Sequence, residues 1–148
     1  MFVGQLLVEK GELAEAERLL RQADATRRRK LPARHVDIAS IDASLGLCLI
    51  RQGRYAGADP LMREAVSIRT EKLAADHWAL AEARSLLGEA LAGERKFDEA
   101  EALLLPAYER LKNEPALSET RKRAARARIE RLYVSWDRPD KVSVWRGR

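Results

Sequence analysis

A step of 42 residues governs this chain. Gly4, Gly46 and Gly88 stand one step apart, with Val3, Leu45 and Leu87 before them and Leu7, Leu49 and Leu91 a helical turn later. Ala16, Ala58 and Ala100 keep the interval, as do Leu20, Met62 and Leu104, and then Ala23, Ala65 and Ala107. His35 recurs as His77, and Ala39 as Ala81. A unit of this length cannot bury its apolar face alone, so copies must stack to form a shared core. Such a chain is expected to offer a surface for binding, and catalysis would need evidence of its own.

Each unit reads as two helices. Ile38, Ile41, Leu45 and Leu49 make an apolar stripe at helical spacing over 36–52. Gly53 breaks that helix, and Ala58, Leu61, Met62, Ala65 and Ile68 mark a second one over about 55–73. In the next unit Asp76 is the expected N-cap of a helix to Gly93, and 97–112 follows with Pro106 inside it and an expected kink near Leu103. The first unit starts with its first helix already under way. Beyond Pro115 the register persists through Ile129, Tyr133 and Val142, but Glu130 takes the glycine position. Ser118 is the expected cap of a helix to about 136, and 139–145 makes a short last one. The expected organisation is one domain, with repeats at about 1–34, 35–76 and 77–117 and a shortened capping repeat at 118–148. Small residues let paired helices approach; each buried Leu or Phe between pairs contributes roughly 1.5–3 kcal/mol.

Composition narrows the function. No run of about 18 uncharged apolar residues could span a membrane, and the first ten residues lack a basic leader with a cleavage site. The single cysteine, Cys48, excludes an internal disulfide and suits a reducing, cytoplasmic setting. The net charge of +5 is uneven. Residues 1–117 hold 18 Lys and Arg against 19 Asp and Glu, whereas 118–148 hold 10 against 4.

The stretches Leu45-Gly46, Leu49, Gly53-Arg54-Tyr55, Ala58-Asp59-Pro60-Leu61, Glu64-Ala65 and Asp76-His77 resemble the 42-residue tetratricopeptide repeat of the kinesin light chain type. Leu87-Gly88, Leu91, Lys96-Phe97-Asp98-Glu99-Ala100-Glu101 and Leu104 repeat the likeness. The resemblance implies an all-α, right-handed superhelical solenoid of antiparallel helix pairs. It implies a non-enzymatic protein–protein interaction scaffold that holds a peptide or partner protein in a concave groove. Groove candidates by helical phase are Gln5, Val8 and Glu9; Ala43, Leu47, Ile50 and Arg51; Ser85, Glu89 and Ala92; and Arg131. Where kinesin light chain repeats place paired asparagines, this chain has Ala43-Ser44 and Ser85-Leu86. The ending Arg131-Leu132-Tyr133, Trp136, Pro139, Lys141 and Trp145-Arg146 is similar to tetratricopeptide regions behind bacterial serine/threonine kinases. That likeness makes a C-terminal regulatory or sensory segment of a bacterial signalling enzyme an alternative. Self-association, or an upstream domain, through Phe2, Val3, Leu6 and Leu7 is another.

Residues with possible chemistry have plainer readings. His35 and His77 fall at equivalent turns, where capping or packing is expected, and no ligand cluster accompanies them. Cys48, between two leucines, reads as a buried thiol. No catalytic, metal or cofactor residues are expected; Asp98, Glu99 and Glu101, like Glu12, Glu15 and Glu17, complement helix dipoles. Arg27-Arg28-Arg29-Lys30 reads as a solvated helix end. Arg121, Lys122, Arg123, Arg126 and Arg128 form a candidate basic surface for an acidic partner. Nucleic acid is disfavoured because no aromatic is interleaved with these cations. Trp78 is expected to pack across an inter-repeat turn, and Trp136 and Trp145 to close the end of the core.

Overall fold

The computed structural model describes residues 3–146, all α-helix and connecting turns. Two compact units divide the chain, Met1–Ala74 and Ala75–Arg148, with the break at a repeat boundary. The first unit contains α1 (Val3–Lys10), α2 (Leu13–Lys30), α3 (Val36–Arg51) and α4 (Tyr55–Lys72). The second contains α5 (Trp78–Gly93), α6 (Phe97–Leu111), α7 (Glu119–Ser135) and α8 (Pro139–Trp145).

Local chemistry sets the ends of these helices. His35 caps α3 by accepting the Asp37 amide on Nδ1 at 3.1 Å, and His77 caps α5 by accepting the Ala79 amide at 3.0 Å. The paired histidines therefore serve the repeat as caps. The expectation of Asp76 as cap is corrected by one residue: the extended backbone at His77 places its ring nitrogen, not the Asp76 carboxylate, over the free amides. Ser118 caps α7 as expected. Inside each pair the turn reverses through one left-handed residue, and these four lie on the 42-residue step: Gly11 (φ 80°), Gly53 (73°), Arg95 (63°) and Asp137 (55°). Around Gly53 the Arg54 amide donates to the Leu49 carbonyl at 2.8 Å and the Gly53 amide to Ile50 at 2.9 Å. That is the two-bond closure which satisfies the last carbonyls of a helix. The same pair of bonds recurs at the other three turns.

The glycine step has a packing cause. A Cβ at Gly88 would stand 2.6 Å from Leu104 Cγ, and one at Gly4 would stand 2.8 Å from Leu20 Cγ; at Gly46 it would collide with the Met62 side chain. Glycine in the first helix and the bulky residue 16 places later in the second are thus one contact, copied three times. At the fourth copy the same two positions hold Glu130 and Arg146, joined at 3.2 Å.

In the first unit Val8, Ala16, Leu20, Ile41, Leu45 and Cys48 form one core cluster, and Ile38, Ala39, Ala43, Ala65 and Ile68 a second. In the second unit Ala81, Leu111, Leu117 and Ala125 are buried together, with Trp78 and Tyr108 packed on them. Helix α6 stays helical through Pro106. Helix α8 closes on α6 and α7: Trp136 stacks on Phe97 at 5.5 Å, Trp145 meets Tyr108 edge-on at 5.4 Å, and Glu101 accepts from Tyr133 Oη at 2.7 Å and Lys141 Nζ at 2.9 Å. Burial and the Glu101 carboxylate raise the Tyr133 hydroxyl well above its usual pKa.

Candidate protein-interaction surfaces

Three of the groove candidates converge on the second unit's pair of first helices, α5 and α7. Glu89 on α5 accepts from Arg128 Nε at 2.7 Å and from Arg131 Nη2 at 2.8 Å, both on α7. Arg128 also donates to Ser85 Oγ at 3.2 Å. The guanidinium of Arg128 is thereby desolvated and held on two sides, which orients Glu89 for Arg131 at the rim. Ser85 is buried, Glu89 and Ala92 are half-buried, and Arg131 is exposed.

Arg128 corrects an expectation, since the basic-surface reading had it facing outward. The side chain is only 9 % exposed. A signal for this was available: one and two steps earlier lie Leu86 and Ser44, both buried. Arg128 inherits a core column, and burial of its charge is tolerable because Glu89 and Ser85 meet it.

The first unit offers less. Val8, Ala43 and Ile50 are core residues, so of the candidates Leu47 (half-buried), Arg51 and Glu9 (both exposed) remain accessible. The side chain of Gln5 lies outside the described residues, as do Phe2 and the side chain of Val3. Leu6 is exposed and Leu7 packs against the core.

At the end of α2, Arg28 is exposed like Arg29 and Lys30, as expected of a solvated helix end, but it also bridges Asp24 (2.7 Å), Asp42 (2.7 Å) and Glu64 (3.0 Å). Asp42 is fully buried, and its Oδ2 has no hydrogen-bond partner. Loss of hydration pushes its carboxyl up to about 7; Arg28 opposes that shift, while Glu64 and Asp24 add to it. Glu64, bonded to Arg28, is held below its usual value. Sequence reading missed this cluster because its members come from three helices.

The remaining basic residues divide sharply. Arg121 is tied to Glu82, with Nε 2.8 Å from Oε1, and lies over the Trp78 ring at 5.6 Å. Trp78 thus packs at the turn, stacked on His77. Lys122 is half-buried and paired with Glu119 at 3.0 Å. Arg123 is exposed and Arg126 half-buried, and both face a cleft between α6 and α7. Cys48 is buried with its thiol donating to the Leu13 carbonyl at 3.3 Å; burial raises its pKa, so it is a packing residue rather than a nucleophile. Among the described residues no three His, Cys, Asp or Glu side chains are grouped as metal ligands, and no helix is long and apolar enough to cross a membrane.

Comparison with solved structures agrees with the repeat geometry. The nearly identical TPR-like repeats of a Podosopora anserina protein described as a kinesin light chain superpose with a TM-score of 0.77 at 18% identity, covering 97% of this chain and 68% of that one. BtubC (BKLC) from P. vanneervenii superposes with a TM-score of 0.71 at 24% identity, again over 97% of this chain but 56% of that one. At such identities the likeness concerns the fold. Comparison with the curated proteins yields no match. A tetratricopeptide repeat model matches residues 37–113, more than half of the chain, and a second matches residues 3–37. With its helix pairs, its glycine contacts and this match in agreement, the chain belongs to the tetratricopeptide repeat family, whose repeats are protein–protein interaction modules.

Proposed function

We propose that the chain binds a protein or an extended peptide on the surface of its first helices, α1 and α3 in one unit and α5 and α7 in the other. The observation that carries this reading is the Ser85–Arg128–Glu89–Arg131 network. Through the buried and part-buried bonds of Arg128 it holds Glu89, and with it the exposed Glu89–Arg131 pair, at the rim of α5 and α7, so less side-chain entropy is lost when a partner engages it. Leu47 and Arg51 offer an apolar and a cationic contact on α3. The mechanism is presentation of a surface rather than bond chemistry. A few anchors such as Arg131 and Arg51 would supply most of the affinity. Kinesin-like cargo recognition is not part of this reading, because Ala43-Ser44 and Ser85-Leu86 stand in place of the amides. A cytoplasmic setting fits the free, buried Cys48.

The test is nuclear magnetic resonance on the isotope-labelled chain with a peptide selected from a random display library. Amide shifts concentrated on α1, α3, α5 and α7 are expected. Shifts confined to α2, α4, α6 and α8 would sink the proposal.

A further inference from the structure

Opposite the Arg128 side of α7 lies a second basic feature. At about 100° per residue, positions 119, 122, 123 and 126 share one stripe of α7, roughly 160° around from Arg128. This stripe and the end of α6 enclose an open cleft of about 230 Å³ lined by Tyr108, Lys112, Glu119, Lys122, Arg123 and Arg126. Four cations therefore face a single lining carboxylate. Lys112 is paired with Glu109 at 2.6 Å and Lys122 with Glu119 at 3.0 Å. Arg123 and Arg126 have no carboxylate partner among the described residues, whereas Arg121, Arg128 and Arg131 of the same helix each have one.

We propose that this cleft docks a short acidic peptide segment. Like charges gathered on a concave wall raise the local potential, and an anion entering it replaces bulk counter-ions. The guanidinium forks of Arg123 and Arg126 suit carboxylates in two-point geometry. The stripe from 119 to 126 rises about 10 Å along α7, which three residues of extended chain match at about 3.3 Å each. Two acidic side chains of such a segment can then meet both free arginines. Nucleic acid fits less well. The single aromatic side chain of the lining, Tyr108, packs on the core and meets Trp145, so successive bases find no array of rings on which to stack.

The experiment titrates the full chain against a fluorescein-labelled hexaglutamate peptide at about 50 and about 150 mM salt. Saturable binding that weakens with salt is expected. R123E/R126E should lose affinity about 10-fold or more, and R123Q/R126Q should lose part of it. R29E/K30E changes charge equally at exposed positions in the other unit and should stay within about threefold of the parent. Circular dichroism confirms that each variant keeps its helices. Equal losses in both charge-reversed variants would reduce the effect to net charge and overturn the proposal. So would the absence of saturable binding, tighter binding of a six-nucleotide thymidine strand, or displacement of the peptide by inorganic phosphate at equal concentration.

Discussion

At the scale of single residues, the four turn positions show how a repeat keeps its geometry while its chemistry drifts. Gly11 and Gly53 adopt left-handed backbone without a steric cost, whereas Arg95 and Asp137 hold nearly the same φ with a side chain attached. The helix-closing bonds and the packed pair beyond impose the conformation on them. Replacing Gly53 by Ala should therefore lower stability by about 1 kcal/mol, and Asp137→Gly should raise it by about 0.5 kcal/mol, since Asp tolerates this region better than most residues. Urea unfolding midpoints of the two variants and the parent measure both; a stabilised G53A would contradict the account. Gly53 was legible in the sequence as a helix end. Arg95 was legible only through its spacing from it, because its own type gives no turn signal, whereas Asp137 adds the tolerance of Asp for this backbone. The cap histidines were legible in role through their recurrence, but Asp76 drew the expected cap one residue early.

At the scale of elements, the contact between a first-helix glycine and a second-helix side chain decides how closely a pair can approach. The three copies are not equally rigid. Gly88 faces Leu104 at its branched Cγ, close to the backbone, with Cδ2 at 2.8 Å, whereas Gly46 faces the flexible end of Met62. Gly88→Ala should thus destabilise by about 1–2 kcal/mol, the overpacking cost reduced by the better helix propensity of Ala. Gly46→Ala should fall within about 0.5 kcal/mol of the parent, because the thioether can swing aside. Denaturant titration of both variants compares them; equal losses would show that the second-helix partner does not set the cost. The alanine and leucine columns made these pairs readable from the sequence. The fate of Arg128 and Glu130 was not, since at both a charged residue occupies a column that earlier copies fill differently, and only the partner tells how it is met.

Across the whole molecule, the charged residues shape the response to pH. Asp42 titrates near 7 when folded, against an ordinary 3.8. Below both values the carboxyl is protonated in either state. As pH rises between them the unfolded chain releases the proton first, so stability is lost as pH passes through about 7. Glu64 and Glu71, held low by Arg28 and Arg34, act in the opposite sense but below about pH 4.5, outside this window. Between pH 5 and 8 the parent should lose stability on the order of 2 kcal/mol relative to Asp42→Asn, which keeps an oxygen for Arg28 and does not titrate. Unfolding midpoints at the two pH values test it, and parallel behaviour of the two proteins would exclude Asp42 as the source. What the sequence determined by itself was the repeat, the helices and the small-against-large columns, because these rest on spacing along the chain and on packing that every copy must satisfy. What only the tertiary structure decided was where charge ends up. Arg28 finds Asp42 and Glu64, Arg128 finds Ser85 and Glu89, and Arg123 and Arg126 find no carboxylate among the described residues. Such pairing depends on which side chains helices distant in sequence bring within 3 Å or so of each other, and no periodicity records it.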